Sequence, residues 1–534
     1  MSTPLLAPGG APPDGIQASK LRRLLQRADA YRAAGQVEAA ITSLEAAVQL
    51  QPDHVVALLQ LSELHLAAER HNAARACTLK ATQGTLDSPL TALRLMRQLK
   101  MLTESGMMIE LAQQLPPPLW DSAKSLTEMA QELTLAGALI PAREFARAAL
   151  ERDPEHPPSL AMHATLDVFH GDLTAAAKHS ERCLHHLPHD AGSHWLLSRL
   201  RLPQAEQRVT RIEVELARGC SGEDEAWLSY ALHNELHDLR QYERAWQALE
   251  RACRAKRATL TYSQVQSDAL FDTLCDWNAD EVASMDGWQG EERIPIFVIG
   301  LHRSGTTLAE RILSGHSQVA QGGETYDIRA QLRRASGLHF AGELDPRILA
   351  ARQGLDYRAI GQGYLQGMNW RAAGKRYVTD KLPSNYLNVG LIARALPRAR
   401  FVHLRRDPIN VGLSSLRTLF SHACAYSYDQ AEFVAHHRNF LRLMAHWRQL
   451  LPDRILDIDY QDLVDAPEAS AERMARFCGL QYEPLMVRIE GRGDAVSTAS
   501  SVMMRDGIRR DRGQVWKAYE RQLQPMITAL ANTT

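Results

Sequence analysis

Apolar residues recur every three or four positions through the first half of the chain, the spacing of helices that bury one face. The segment LLQRADAYRAAGQVEAAITSLEAAVQL, residues 24–50, shows this pattern clearly. From residue 20 to residue 255 the chain is also rich in Ala, Leu, Glu, Arg and Gln, which are good helix formers. We therefore predict an all-helical domain over residues 20–268.

Glycine and proline recur at fixed intervals within this helical region. A proline follows a glycine by 17 residues at Gly35–Pro52, Gly137–Pro154 and Gly171–Pro188, and the last two pairs lie 34 residues apart. This period resembles the tetratricopeptide repeat, a helix–turn–helix unit, and residues 225–252 resemble a further, divergent repeat. A plain helical bundle is the alternative, but it does not explain the recurring intervals. Stacked repeats form a superhelix that binds a protein or peptide, or that serves as a dimerisation surface.

Short apolar runs replace the helical pattern in the second half of the chain. Residues 269–292 are acidic and contain glycine, so they are predicted to form a linker. The run IPIFVIG (294–300) is typical of a buried parallel strand. Further strands are predicted within KRYVTDK (375–381), ARFVHLRRDP (399–408) and DRILDIDYQDLV (453–464). Strands that alternate with helical segments indicate an α/β domain with a mostly parallel sheet.

Charged residues follow the ends of these predicted strands, where α/β domains place their ligand sites. They are Arg303, Lys381, Arg406 and Asp457–Asp459. Three of the four strand ends are cationic, which favours an anionic ligand along that edge of the sheet.

The first strand leads into a loop with the glycine spacing of a phosphate-binding loop, in the segment FVIGLHRSGTTLAERIL (297–313). Gly300 and Gly305 are correctly spaced, and Thr307 occupies the usual Ser/Thr position. The lysine position is taken by Thr306, and the cation lies within the loop as Arg303. A strand, a glycine-containing loop and a helix in this order favour an anion at the helix N-terminus.

This loop and the segment FVHLRRDPINVGLSS (401–415) together resemble two motifs of the sulfotransferases that use 3′-phosphoadenosine-5′-phosphosulfate (PAPS). The resemblance covers about residues 293–520 and is greatest to tyrosylprotein sulfotransferases and to bacterial proteins that join such a domain to tetratricopeptide repeats. It implies an all-α superhelix followed by an α/β, P-loop-like domain with a mostly parallel sheet. The expected boundaries are 1–19 for a disordered tail, 20–268 for the repeats, 269–292 for the linker and 293–534 for the sulfotransferase domain.

The resemblance also implies roles for particular residues. The loop would bind the 5′-phosphosulfate through Arg303, Ser304, Gly305, Thr306 and Thr307, and the second motif would bind the 3′-phosphate through Arg406 and Ser414. Arg505 and Arg512 would close over the donor, and Thr498 and Ser500 would offer hydroxyls to the transferred group. Glu324 matches the catalytic base, and Lys381 matches the lysine that contacts the leaving group. His302, where the family usually has proline, and His316 are rival bases.

The missing lysine is consistent with a sulfonate donor. A nucleoside triphosphate travels with a metal ion and needs a lysine, whereas a phosphosulfate carries fewer charges. We therefore expect PAPS as donor and no metal. A carboxylate base suits a phenol, but a carbohydrate or small-metabolite acceptor stays open beside a protein tyrosine. An ATP- or GTP-dependent kinase that holds its metal through Asp457 or Asp459, and an inactive repeat scaffold, are the other hypotheses.

The composition limits which binding partners and which cellular compartment are expected. A formal net charge of −1 gives no field that would mark a nucleic-acid or membrane-surface binder. The segment MSTPLLAPGGAPPDGIQ lacks the basic and apolar parts of a signal peptide. The seven cysteines form no CxxC pair, so free thiols in a reducing compartment are expected. These features predict a cytoplasmic protein with no nucleic-acid or membrane partner.

Overall fold

The structure is a computed structural model that describes residues 15–117, 120–283, 293–420, 423–489 and 511–532, with the backbone alone at 511–513. It confirms the predicted fold class, because a helical region precedes a domain built on a parallel sheet.

The helical region consists of sixteen helices among the described residues. They are α1 Gly15–Ala33, α2 Val37–Leu50, α3 Val55–Ala67, α4 His71–Ala81, α5 Pro89–Met101, α6 Ser105–Gln114, α7 Ala123–Leu135, α8 Leu139–Arg152, α9 Pro157–His170, α10 Leu173–His186, α11 Ala191–Arg199, α12 Ala205–Ala217, α13 Gly222–Asp238, α14 Tyr242–Ala258, α15 Gln264–Cys275 and α16 Ala279–Val282.

The second half contains a five-stranded sheet and its helices. The strands are β1 Ile294–Gly300, β2 Val319–Ala320, β3 Tyr377–Asp380, β4 Arg400–Arg405 and β5 Ile455–Asp459. The α-helices are α17 Thr306–Leu313, α18 Asp327–Ser336, α19 Pro346–Ala350, α20 Tyr357–Gly367, α21 Asn369–Ala372, α22 Val389–Ala395, α23 Pro408–Leu416, α24 Gln430–Leu450, α25 Tyr460–Asp465, α26 Pro467–Phe477 and α27 Glu520–Ala531. Short 3₁₀ helices cover Arg352–Gly354, Pro383–Asn388, Ala425–Tyr428, Pro484–Val487 and Asp511–Tyr519.

The sheet has the strand order β2-β3-β1-β4-β5, and its neighbouring strands are all parallel. Every residue of β1 is buried, as expected for a central strand with helices on both faces. The chain continues from β1 to one side of the sheet and later returns to the other side as β4. In parallel sheets, ligands bind outside the carboxyl ends of the strands where the order reverses in this way. The crevice between the ends of β1 and β4 is therefore the expected site.

The chain divides into two compact units that do not follow the sequence order strictly. One contains the residues up to Met162 together with Arg329–Ala341, and the other contains His163–Ile328 and the chain from Gly342 onward. In the first unit, the segment Arg329–Ala341 packs on the helices. His71 N–H donates to Gly337 O at 2.8 Å, and His339 N–H donates to Glu69 O at 2.8 Å.

In the second unit, the helix pair α13 and α14 packs against the end of α23. Tyr230 OH donates to Leu416 O at 2.8 Å, and Arg417 Nε donates to His233 Nε2 at 2.8 Å. His233 Nδ1 lies 2.7 Å from Ala245 O, which fixes the ring as an Nδ1–H donor and an Nε2 acceptor. These helices are therefore part of the body that carries the sheet.

Two expectations from composition can be compared with the structure. All seven cysteines are free thiols, as predicted. Among the described ranges, no helix is both long enough and apolar enough to cross a bilayer.

Candidate active site

The loop after β1 wraps the N-terminus of α17. Its turn needs unusual backbone angles, because φ is +72° at Arg303 and +108° at Gly305. A Cβ atom on Gly305 would lie 2.4 Å from the Tyr460 ring, so only glycine fits there. Positive φ at a residue with a side chain stores strain, which persists mainly where function requires the conformation.

Arg303 connects this loop with the second predicted motif. Its Nε donates to Ser414 Oγ at 3.0 Å, and its carbonyl oxygen accepts from Arg406 Nη1 at 3.1 Å. The structure thus brings together three predicted residues from two segments that are more than a hundred positions apart.

Several guanidinium groups surround Arg303. Burial, and then the nearby charges of Arg406 and Arg199, lower the pKa of Arg303 to about 10. Arg417, at the end of α23, contributes in the same direction. Like charges gathered in this way repel one another, so the cluster is suited to an anion that neutralises them.

Arg406 also lines an open cavity of about 340 Å³, together with Arg405, Asn410, Tyr460 and their neighbours. The Arg406 guanidinium lies over the Tyr460 ring, 4.1 Å from its centroid. This cation–π contact fixes the plane of the guanidinium beside the loop. Tyr460 thus touches both motifs, a role that its sequence position at the end of β5 did not reveal.

Polar atoms of the loop are left for a ligand. Ser304 Oγ and His302 Nδ1 are buried, and neither has a hydrogen-bond partner among the described residues. Thr306 and Thr307 begin α17 and are buried. The first N–H groups of a helix lack intrahelical partners and favour negative charge. The loop therefore fits an oxyanion such as a phosphate or a sulfonate.

Glu324 and Lys381 form an ion pair at the same edge of the sheet. Lys381 Nζ donates to Glu324 Oε1 at 2.5 Å, and the Lys381 side chain is fully buried whereas that of Glu324 is 36% exposed. Lys381 follows β3 directly, as predicted. The carboxylate thus contacts a buried cation and is itself partly exposed to solvent.

Glu310 on α17, a residue that neither sequence motif indicated, holds the segment before Glu324 in place. Glu310 Oε1 accepts from Gly323 N–H and from Thr379 Oγ1, each at 2.8 Å. Burial raises the pKa of Glu310. Gly322 completes the arrangement, because a Cβ there would lie 1.9 Å from Thr379 O. A glutamate on the buried face of a helix indicates such a positioning role, because a buried carboxylate needs hydrogen-bond donors.

Asp380 is a second buried carboxyl group beside the ion pair. Its Oδ2 accepts from Thr325 Oγ1 at 2.8 Å and from Tyr364 OH at 3.1 Å, and its Oδ1 accepts from Asn385 Nδ2 at 3.2 Å. Burial raises its pKa to about 7, although these hydrogen bonds act in the opposite direction.

This raised pKa predicts a pH-dependent stability. The folded protein holds the Asp380 proton more tightly than the unfolded chain, so Asp380 stabilises the fold below about pH 4. That contribution is lost as the pH rises through about 7. The difference from 3.8 corresponds to about 4 kcal/mol. Between pH 4 and pH 8 we expect the free energy of unfolding to fall by that much more in the wild type than in Asp380→Asn, as measured by urea denaturation.

The matched control for this measurement is Asp356→Asn, which changes an exposed helix N-cap. This variant should keep the pH dependence of the wild type. An Asp380→Asn variant with the wild-type slope would show that the proton of Asp380 does not distinguish the folded and unfolded states.

Other predicted residues lie elsewhere or outside the described ranges. His316 is buried, its Nε2 lies 3.0 Å from Gln481 O, and its Nδ1 accepts from Gln318 N–H, so it serves the turn after α17. The ring of His302 packs edge-to-face on Phe420 at 5.5 Å. Thr498, Ser500 and Arg505 lie outside the described residues, and so does the side chain of Arg512.

Two protein-family models match parts of the chain. Residues 295–484 match the sequence model of the sulfotransferase family, and residues 31–98 match that of the tetratricopeptide repeat. The region that matches the sulfotransferase model contains β2 to β5 and all but the first residue of β1, together with the loop after β1, Glu324, Lys381 and Arg406.

Two relatives match parts of the chain. An uncharacterised protein of Aquifex aeolicus is 29% identical over 318 residues, which are 56% of this chain and 41% of that protein. A protein of Caenorhabditis briggsae named as a putative protein-tyrosine sulfotransferase is 26% identical over 192 residues, which are 36% of this chain and 68% of that protein. The chain thus spans less than half of the Aquifex relative.

Two solved structures each cover 44% of this chain. The sulfotransferase domain of the Synechococcus PCC 7002 olefin synthase is 20% identical, with coverage of 44% of this chain and 91% of that chain and a TM-score of 0.32. A tetratricopeptide repeat protein from Parabacteroides merdae is 14% identical, with coverage of 44% and 92% and a TM-score of 0.34.

Proposed function

We propose that the sulfotransferase domain transfers a sulfonate from PAPS to the hydroxyl of a protein tyrosine. The observation that carries this proposal is the lysine-free phosphate loop whose Arg303 is held on Ser414, with the Glu324–Lys381 pair at the same edge of the sheet. The loop and the Arg303–Ser414 contact suit a donor that carries both a phosphosulfate and a second phosphate. The Glu324–Lys381 pair suits proton transfer from the acceptor beside that donor.

The donor would be held at two places. The loop N–H groups, Ser304 Oγ and the guanidinium of Arg303 bind the 5′-phosphosulfate, because a planar fork grips two oxygens at once. Arg406 and Ser414 bind the 3′-phosphate. The buried Ser304 Oγ and the arginine cluster support this assignment, since a hydroxyl can donate to a phosphosulfate oxygen and neighbouring guanidinium groups favour an anion.

PAPS supplies the sulfonate and leaves as the bisphosphate. Glu324 takes the proton of the acceptor hydroxyl as its oxygen forms the new O–S bond. Lys381 stabilises the negative charge that develops on the leaving oxygen as the old S–O bond breaks. Glu310 and Asp380 position this pair by holding the segments that carry it.

A tyrosine acceptor is supported by chemistry and by one relative. A phenol loses its proton near pH 10, so a carboxylate removes it more readily than it removes the proton of an aliphatic hydroxyl. The Caenorhabditis briggsae relative is named for the same acceptor. Tetratricopeptide repeats generally bind proteins or peptides, and we assign to those of this chain the binding of the acceptor or of a partner.

A metal-dependent kinase is a less favoured function for this domain. Its candidate metal ligands are already engaged, because Asp457 pairs with His403 and Arg448 and Asp459 pairs with Arg405. The lysine of a nucleoside-triphosphate loop is also absent from the loop sequence.

The test is transfer of labelled sulfonate from PAPS to a panel of peptides that differ only in one residue, Tyr, Ser or Phe, with EDTA present. We expect labelling of the tyrosine peptide alone. Labelling of the serine peptide would overturn the tyrosine assignment. ATP-derived phosphate transfer that requires Mg²⁺ would overturn the sulfotransferase proposal itself.

A further inference from the structure

Three side chains of metal-ligand types lie together in the second unit, on the part of α9 from His163 onward and on α10. His163, Asp167 and His179 each offer one ligand atom, and these atoms lie within 4.8 Å of one another. His179 Nδ1 is 2.8 Å from Asp167 Oδ2, and His163 Nδ1 is 4.0 Å from Asp167 Oδ1. The two imidazole rings are 5.1 Å apart.

The repeat pattern shows that this cluster is unusual. At an offset of 34 residues, the pair α7 and α8 places Met129, Leu133 and Phe145 at the equivalent positions, and these side chains are 0%, 0% and 1% exposed. One period earlier, α5 and α6 place three leucines there, which are also buried: Leu95, Leu99 and Leu111. Two repeats thus use these positions for apolar packing, and the third replaces all three residues by metal-ligand types.

A buried carboxylate in place of a buried apolar side chain destabilises the fold unless a positive charge lies beside it. Asp167 is only 3% exposed, and the basic side chains that pair with it within the described part of the chain are the two imidazoles. A buried carboxylate needs a cation, and an imidazole is one only when protonated. A divalent ion supplies that charge and binds imidazole nitrogens as well.

We propose that His163, Asp167 and His179 form a binding site for Zn²⁺ or a similar divalent transition metal, which joins α9 to α10. His163 and Asp167 are four residues apart, so they share one helix face, and His179 faces them from α10. Ligand atoms on a tetrahedral zinc ion lie about 3.3 Å apart. His179 Nδ1 lies nearest to Asp167 Oδ2, His163 Nδ1 lies nearest to Asp167 Oδ1, and one ligand atom from each of the three residues lies within 4.8 Å of the other two. Small side-chain movements would therefore bring the three atoms to the tetrahedral spacing. The His163 and His179 side chains are 13% and 18% exposed, which leaves room for water as a fourth ligand.

The test is a titration of the full-length, chelator-treated protein with Zn²⁺ and with Co²⁺. We expect one equivalent of Zn²⁺ to bind and to raise the Tm, and Co²⁺ to give the visible absorption of a tetrahedral site. Asp167→Asn should weaken binding by more than the roughly 10–100-fold that loss of an outer partner costs.

The residues of the preceding repeat provide a variant that should fold without the metal site. The triple change His163→Met, Asp167→Leu and His179→Phe installs the apolar residues of the preceding repeat, so it should fold while losing both the metal and the effect of Zn²⁺ on the Tm. His189→Ala, at an exposed histidine just beyond α10, is the matched control and should bind as the wild type does. Equal binding by the triple variant, or no stoichiometric binding by the wild type, would overturn the proposed site.

Discussion

Replacement of Glu324 by glutamine is expected to lower kcat by about 10²–10⁴-fold while the affinity for 3′,5′-adenosine bisphosphate changes little. Loss of a general base has an effect of this size. The affinity should persist because Glu324 lies beside Lys381, whereas the proposed anion contacts come from Arg303, Arg406 and Ser414. Single-turnover transfer from PAPS and calorimetric binding of the bisphosphate measure the two quantities separately.

Two further variants separate proton transfer from ion pairing. Glu324→Asp keeps the charge but withdraws the carboxylate, so turnover should stay low. Glu432→Gln removes one partner of a different ion pair, with Arg257, and should spare turnover by the folded protein. Parallel loss of bisphosphate affinity and turnover in Glu324→Gln would contradict a base and would assign Glu324 to holding Lys381.

The second large effect is expected at Arg303. Arg303→Lys should lower kcat/KM for PAPS by about 10²–10³-fold, the cost of removing one donor that stabilises a developing oxyanion. Lysine keeps the charge but loses both the fork and the Nε–H that donates to Ser414. Steady-state kinetics with PAPS varied at fixed acceptor concentration give this quantity.

Arg442 on α24 provides the control for that substitution. It is exposed, it pairs with Asp272 at 2.6 Å, and it does not line the cavity beside Arg406. Arg442→Lys should therefore leave kcat/KM within about twofold, because an exposed ion pair contributes little. A lysine variant at position 303 that is as active as the wild type would show that charge alone suffices there.

The strands and the loop were predictable because their signals are local. IPIFVIG is continuously apolar and becomes the central strand β1, and the next three predicted runs contain β3, β4 and β5. The two-residue strand β2 was missed, since so short a run has no periodicity of its own. The placement of Arg329–Ala341 with the first helices depends on tertiary packing that no local pattern records.

The candidate site was predictable in part for the same reason. Arg303, Arg406 and Lys381 follow strands directly, so their shared edge followed from the topology. Glu310 and Tyr460 were missed because their partners, Gly323 and the Arg406 guanidinium, come from distant or differently folded segments. The Glu324–Lys381 contact could not be predicted, because it depends on how the two segments pair. Lys381 N–H donates to Gly323 O at 2.8 Å, and this backbone hydrogen bond is visible only in the folded structure.

The most direct test of the central claim is calorimetric binding of 3′,5′-adenosine bisphosphate to the full-length protein, compared with ATP, each with and without Mg²⁺. We expect tight binding of the bisphosphate that is independent of metal and is lost in Arg406→Ala. Failure to bind the bisphosphate, together with Mg²⁺-dependent binding of ATP, would show that the donor is a nucleoside triphosphate and not PAPS.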